Sequence, residues 1–436
     1  MGLFEQFPFT NFHEMNLDWI INKIGDIEKN IDSINFESNL FSTPADFNAA
    51  NDGINDDTSA IQQCVDSGKI VILSGKYAIS APINLKNDSV IIGNNCTIVP
   101  YTLNQFNFFH VINVTNAYIS NINLDGKWQN IPNIDINGDH SGIAIYDSTN
   151  VTITKCNISN FVNNGIYSNK AKNTYIENCV VFNTNFGSGI TCANGSYTKI
   201  NSCESHDNNK DGITMADNNS IVNSCLLYSN GKMRYDPNEP SCGIYTQGTC
   251  YNTILTNNII YNNSFSGIES NTSYKVTITE NIIYNNNEYG IAIISAKNCH
   301  VSNNTLRKNG FEDKNYCANI TVYNTTGEPS KYNYVSNNYI DGENTSKYGI
   351  SVINSTNNVI NSNYLNGCLN AFFDNKYEEN TYFQDNISYS LKNGTLEPIK
   401  IIISSTAPDS VNGSMYVNDG GLHLYYNGSW HIITGT

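Results

Sequence analysis

Gly142-Ile143-Ala144-Ile145, Gly165-Ile166-Tyr167, Gly189-Ile190-Thr191-Cys192 and Gly212-Ile213-Thr214-Met215 open a series that continues at Gly243-Ile244, Gly267-Ile268, Gly290-Ile291 and Gly349-Ile350. Successive glycines stand 23, 24, 23, 31, 24, 23 and 59 residues apart, and the long gap holds a degenerate copy at Asn319-Ile320-Thr321-Val322. A fixed period of this size is one supersecondary unit stacked on itself. About ten residues after each glycine comes a second β-rich triplet (Val151-Thr152-Ile153, Thr253-Ile254-Leu255), and a third follows five residues later (Cys156-Asn157-Ile158, Asn258-Ile259-Ile260). Asn, Gly, Ser and Asp fill the turns, residues that tolerate left-handed backbone or bond their own main chain. A coil of three short strands cannot bury its apolar side alone. Coils stacked about 4.8 Å apart give three parallel sheets around one core. The pattern therefore predicts an all-β chain dominated by a right-handed three-sheet parallel β-helix.

The first residue of the third triplet runs Cys156, Cys179, Cys203, Cys225, Asn258, Asn281, Asn304, Asn338, Asn363. Identical side chains in register form ladders, here buried thiols giving way to amides that bond one another. No Cys-x-x-Cys pair occurs, so neither a metal site nor a cofactor is expected.

Around this solenoid the chain divides into 1–44, 45–141, 142–397 and 398–436. In the first part Leu3, Phe4, Phe7, Phe9 and Phe12 form an aromatic stretch broken by Pro8. Leu17, Ile20, Ile24, Ile27, Ile31 and Ile34 then recur at spacings of three and four. That is a short heptad seam whose residue types lean toward a trimer, or an amphipathic helix packed on a neighbour. Next, Asp57-Thr58 to Val65 reads as a helix ended by Gly68, expected to cap the β-helix core. Ile70 to Leu73 and Tyr77 to Ile79 read as strands around a Ser74-Gly75 turn. After Pro398, Ile399 to Ile403 and the stretch from Gly413 to Trp430 read as a β-meander with Asn-Gly turns.

The chain has 436 residues, a formal charge of -16 and 39% hydrophobic residues. The acidic balance argues against nucleic acid and anionic membrane as partners. No apolar run approaches about 18 residues and no basic, apolar leader opens the sequence, so neither membrane insertion nor secretion is expected. The twelve cysteines are expected to be reduced core thiols.

Asn51-Asp52-Gly53-Ile54-Asn55-Asp56-Asp57-Thr58-Ser59-Ala60-Ile61-Gln62, followed by Ile70 to Ile79, resembles the opening segment of the pectate-lyase-like β-helix of bacteriophage tailspikes. The usual Pro-x-Gly-x-Tyr is here Leu73-Ser74-Gly75-Lys76-Tyr77. Phe7 to Ile20 looks like the attachment peptide of short-tailed phage structural proteins. The resemblance implies a virion protein: a homotrimeric tail spike or appendage, assembled in the host cytoplasm, held to tail or collar proteins through residues 1–36. It also implies recognition of a host cell-surface polysaccharide or wall glycopolymer. A purely structural tail component is the alternative, and degradation of the glycan by a hydrolase or lyase chemistry stays open.

Loops longer than the repeat requires overhang one face of a solenoid. They fall at Tyr228 to Cys242, Arg307 to Ala318 and Asp341 to Tyr348. Walls three coils apart leave roughly 14 Å, room for one saccharide chain. Strand alternation predicts Tyr245, Glu269 and Ala292 as an exposed floor, with Asp211 and Thr214 on the preceding coil. Glycoside cleavage needs two carboxyls about 5 to 9.5 Å apart, and Glu269 with Asp236 or Asp211 are the nameable pairs. Arg234 and Arg307 stand on the walls. Three residues after each ladder position come Phe182, His206, Tyr228, Tyr261, Tyr284 and Arg307. This column suits either stacking on sugar rings or, with outward Leu226, Ile259 and Ile282, a subunit seam. Tyr235-Asp236-Pro237-Asn238 resembles the Asp-Pro-His motif of β-helix uronate epimerases, with Asn238 where that family has His.

Overall fold

A computed structural model describes residues 40–136, 139–232, 241–248, 250–311, 317–324, 329–374, 381–392, 395–398, 415–418, 421–426 and 429–433. The N-terminal aromatic stretch and heptad seam, Arg234, Asp236 and Ile399–Ile403 lie outside them.

Three sheets of in-register parallel strands wind around one core. The first runs from Ile143–Tyr146 through Ile166–Asn169, Ile190–Ser196 and Ile213–Asn218 to Ile244–Gln247, Ser266–Asn271, Tyr289–Ile294, Ala318–Tyr323, Tyr348–Ile353 and Asn370–Asp374, which number coils one to ten. The second holds the strands from Thr149–Thr154 to Tyr382–Gln384, and the third those from Asn157–Ser159 to Ile387–Lys392. Each strand pairs with the one a full coil away, so the 23-residue period of the sequence becomes the register of the sheets.

Side chains explain why the chain turns where it does. Each inward isoleucine after the repeat glycine, from Ile143 to Ile350, is fully buried, a contribution of about 1.5–3 kcal/mol apiece. Corner residues take left-handed backbone: Asn257 (φ 56°) before the third strand of coil five and Asn262 (φ 55°) after it, a conformation Asn tolerates better than most side chains. The repeat glycine itself answers a space constraint. A Cβ on Gly267 would lie 2.5 Å from Ile283 Cγ2 and 2.7 Å from the Gly290 carbonyl of the next coil.

The opening coils differ in one respect from the expectation. Ile70–Ile79 is one continuous strand, with a register shift between Ser74 and Gly75 where Gly75 takes φ 95°. Pairing with Val90–Pro100 resumes on both sides of that shift, so the glycine makes a bulge in a bent strand instead of a turn. The helix Thr58–Asp66 buries Ala60, Ile61, Cys64 and Val65 and closes the end of the core. Asp57 does not cap it with its side chain; the carboxylate accepts from the backbone N–H groups of Ala50 (2.6 Å) and Asn51 (3.2 Å).

Both ladders form. Asn258, Asn281, Asn304, Asn338 and Asn363 each donate Nδ2–H to the Oδ1 of the next, at 2.9–3.0 Å, ending on Asn386. A second ladder, five residues on, joins Asn208, Asn230, Asn263, Asn286, Asn309 and Asn319 at 2.9–3.0 Å. All twelve cysteines are free and buried. Near the end of the chain, Ile387–Lys392 forms a hairpin with Thr395–Pro398, and Met415–Asn418, Gly421–Tyr426 and Ser429–Ile433 form an antiparallel meander.

Candidate functional site

The outer face of the third sheet carries the aromatic column. Phe182, His206, Tyr228, Tyr261 and Tyr284 stack with centroids 4.7–5.0 Å apart and planes within 2–6°. In-register strands set that spacing, and it has a chemical consequence: the ring faces within the column cover one another. The column offers edges and hydroxyls rather than open faces. Tyr228 donates its hydroxyl to Glu204 (2.7 Å), and burial with that bond raises its pKa. Arg307, next in the column, is exposed and paired with Glu343 at 2.8 Å. Beside the column, Ile259, Ile282, Tyr339, Tyr364 and Ile387 are exposed along one register row, interrupted by Thr305.

The turn that leaves this column forms an open groove of about 570 Å³ lined by Gly231, Lys232, Asn262, Asn263, Ser264, Asn285, Asn287 and Phe311. Asn262 and Asn285 directly follow Tyr261 and Tyr284, so the stack and the groove share an edge. Gly231 and Lys232 begin one overhanging loop and Phe311, 48% exposed, belongs to the other. The described ends of both loops line the groove, and the floor between Lys232 and Phe311 is the third-to-first turn.

The expected floor on the first sheet is corrected. Glu269 is 2% exposed, Ala292 and Asp211 are fully buried, and Tyr245 is half-buried. The outer face there carries its own apolar cluster of Tyr289, Ala292 and Ile294 with Phe265 and Tyr323 against it. Alternation correctly aimed these side chains away from the core, but it is blind to what covers the sheet from outside.

Within that covered face two carboxyls come together. Cys242 joins them: its backbone N–H donates to Asp211 (2.7 Å) and its thiol lies 3.9 Å from Glu269 Oε2. Asp211 also accepts from Thr214 (2.7 Å) and Ser188 (3.4 Å), and Glu269 from Asn271 (3.3 Å). Burial raises Asp211 to about 6 against the pull of these donors. Burial, with the Asp211 charge adding to it, raises Glu269 to about 8. Tyr323, next to Glu269, is likewise pushed up by burial. Sequence reasoning found the two carboxyls but missed Cys242, Phe311 and the groove amides. The Asn-x-x-x-x-Asn period would have given the second ladder, and the place of Cys242 before Gly243, matching Asp211 before Gly212, would have put these two on adjacent coils, whereas Phe311 carries no repeat signal. Among the described residues no cluster of three His, Cys, Asp or Glu is arranged for a metal, and no helix is long and apolar enough to cross a membrane.

These features give the chain the fold of a right-handed parallel β-helix. Residues 195–328 and 238–388 match the family described as right handed beta helix region, and residues 41–235 the family described as rhamnogalacturonase A/epimerase, pectate lyase-like. The chain is similar to the pre-neck appendage protein of Bacillus phage B103, 27% identical over 221 residues. That match covers 41% of this chain and 26% of the relative's own length. Among solved structures, the mannuronan C-5 epimerase AlgE6 A-module of Azotobacter vinelandii aligns with a TM-score of 0.67 and 17% identity, over 79% of this chain and 98% of that one. Pre-mature gene product 12 of bacteriophage phi29 aligns with a TM-score of 0.58 and 16% identity, over 88% and 60%. At such identities these structures speak for the fold.

Proposed function

We propose that this chain is a bacteriophage tail spike or appendage, a virion protein whose β-helix binds a glycan of the host cell surface. The observation that carries the reading is the groove beside the aromatic column, lined by amides, a serine and the exposed side chain of Phe311. Amides match sugar hydroxyls, and an exposed ring matches the apolar face of a pyranose. The phage appendage relative supports the virion setting. In this reading Tyr228, Tyr261 and Tyr284 border the glycan through their edges, with Arg307, held by Glu343, at the end of the column. Residues 1–36 attach the chain to the tail through their heptad seam, and the exposed row from Ile259 to Ile387 meets sister chains in a homotrimer. Retention of host surface polysaccharide by purified protein tests the reading. Wild type should retain it and Phe311→Ala should lose most of that retention; equal retention by both, or none by wild type, refutes it and leaves the purely structural role.

A second reading, cleavage of the bound glycan, is favoured by the desolvated Asp211 and Glu269, one poised as acid near neutral pH. Asp236 is the other partner that the sequence offers Glu269. Both described carboxyls are withdrawn from solvent, so binding without cleavage is the simpler account. New reducing ends formed by wild type and abolished in Glu269→Gln would establish cleavage; their absence with wild type excludes it.

A further inference from the structure

We propose that the groove selects uncharged sugars, hexose or N-acetylhexosamine units, and that Asp207 sets this selectivity by neutralising Lys232. The proposal rests on the glycan-binding reading and adds to it the chemical class of the ligand.

Among the described residues the lining holds a single ionisable side chain, Lys232, alongside amides, a serine and a phenyl ring. Its ammonium is ion-paired with Asp207 Oδ1. The other oxygen of Asp207 is bonded to His206 Nδ1 at 2.7 Å. His206 is in turn clamped between the rings of Phe182 and Tyr228, with planes 3° apart on either side. Asp207 is therefore held from two directions on a rigid column and cannot swing away from Lys232 at little cost. Partial burial pushes its pKa up, but the bonds from Lys232 and His206 outweigh this and hold it below the usual range. It is ionised at neutral pH, and the lysine charge is cancelled where the groove begins.

The surroundings reinforce this. Glu204 lies 3.8 Å from His206 Nε2 and adds negative charge on the column side. By sequence, residues 233–240 carry Arg234 against Asp236 and Glu239, and residues 312–316 carry Lys314 against Glu312 and Asp313. Lys308 takes the place after Asn285 in the corner column but is not part of the lining. A carboxylate or phosphate entering the groove would lose its hydration without gaining a free cation, an unfavourable exchange. Hydroxyl and acetamido groups both donate and accept, as the amides of Asn262 and Asn285 do.

The test measures binding of three probes to the full chain: a chito-oligosaccharide, a neutral hexose oligomer and an oligouronate, at low salt and at about 0.5 M salt. Wild type should bind a neutral oligomer with little salt dependence and the oligouronate weakly. Asp207→Asn suits the site structurally, because the residue takes φ 57° and Asn accepts that conformation. This variant should keep neutral binding and gain about tenfold or more for the oligouronate, a gain that high salt erases. Adding Lys232→Ala should cancel the gain. His206→Phe keeps a ring in the stack but removes the second hold on Asp207, and should give a partial gain. Wild-type preference for the oligouronate, or an unmoved Asp207→Asn, overturns the proposal while glycan binding stands. Binding of no probe and of no host polysaccharide is the failure of the glycan-binding reading itself, and the selectivity falls with it.

Discussion

Replacing Asn281 with alanine removes the second rung of the amide ladder, and the structure allows the cost to be worked out. Asn281 Oδ1 accepts from the backbone N–H of Asn258 (3.0 Å) and from its Nδ2 (2.9 Å). Its own Nδ2 reaches Asn304 Oδ1, Leu255 O and Thr279 O, each at 3.0 Å. After truncation Asn258 Nδ2 still reaches Val222 O and Asn304 Oδ1 still receives the Asn281 backbone N–H, so both keep a partner. The Asn258 backbone N–H does not. A buried donor left without an acceptor costs about 1–3 kcal/mol, and the remaining lost bonds about 1 kcal/mol each at most. The expected loss is about 3–5 kcal/mol, local to coils five to seven because each coil touches only its neighbours. Native-state hydrogen exchange is the suitable assay, since a solenoid need not unfold in one step. The Asn258 amide should lose protection in Asn281→Ala while amides of the opening coils keep theirs. Asn281→Asp should be worse near pH 7, where a carboxylate faces three acceptors, and should recover in acid as it protonates. A shift below about 1 kcal/mol in Asn281→Ala, or unchanged protection at Asn258, would refute the reasoning that the ladder satisfies the core.

Other expectations follow from the same geometry. Glu269 keeps its proton in the fold up to about pH 8, whereas the unfolded chain releases it near about 4.3. The native state binds the extra proton between these values, so stability falls as pH rises through that window. Asp211, raised to about 6, adds a loss of the same sign at lower pH. Glu269→Gln should flatten the melting temperature between pH 5 and pH 8; an unchanged slope would mean the carboxyl is already ionised in the fold. Gly267→Ala places a methyl against the Gly290 carbonyl and should cost about 1–3 kcal/mol or more by denaturant titration, with a neutral outcome showing that the coils can move apart. Ellman's reagent should titrate none of the twelve thiols in the native protein and all of them in urea, so native labelling would contradict their burial.

The stacked architecture was legible because its cause is local and repeated. A glycine that cannot carry a Cβ, an isoleucine that must point inward and an asparagine that can turn a corner recur at one period, and parallel in-register pairing converts that period directly into space. The amide ladder and the aromatic column follow from the same arithmetic, since equal positions on successive coils are neighbours. The sequence by itself therefore determined the β-helix, its capping helix, the ladder and the column. Tertiary structure alone decided what lies against the outside of each sheet. Glu269 and Asp211 share an outward phase with solvated residues elsewhere, yet they are covered, and the repeat that places Cys242 one coil after Asp211 does not say that its thiol reaches Glu269. The groove arose at a corner because Lys232 and Phe311, far apart in the chain, both line it, and Asp207 pairs with Lys232 across 25 residues of chain. Periodicity reports which way a side chain faces; burial and pairing depend on contacts between segments that share no period.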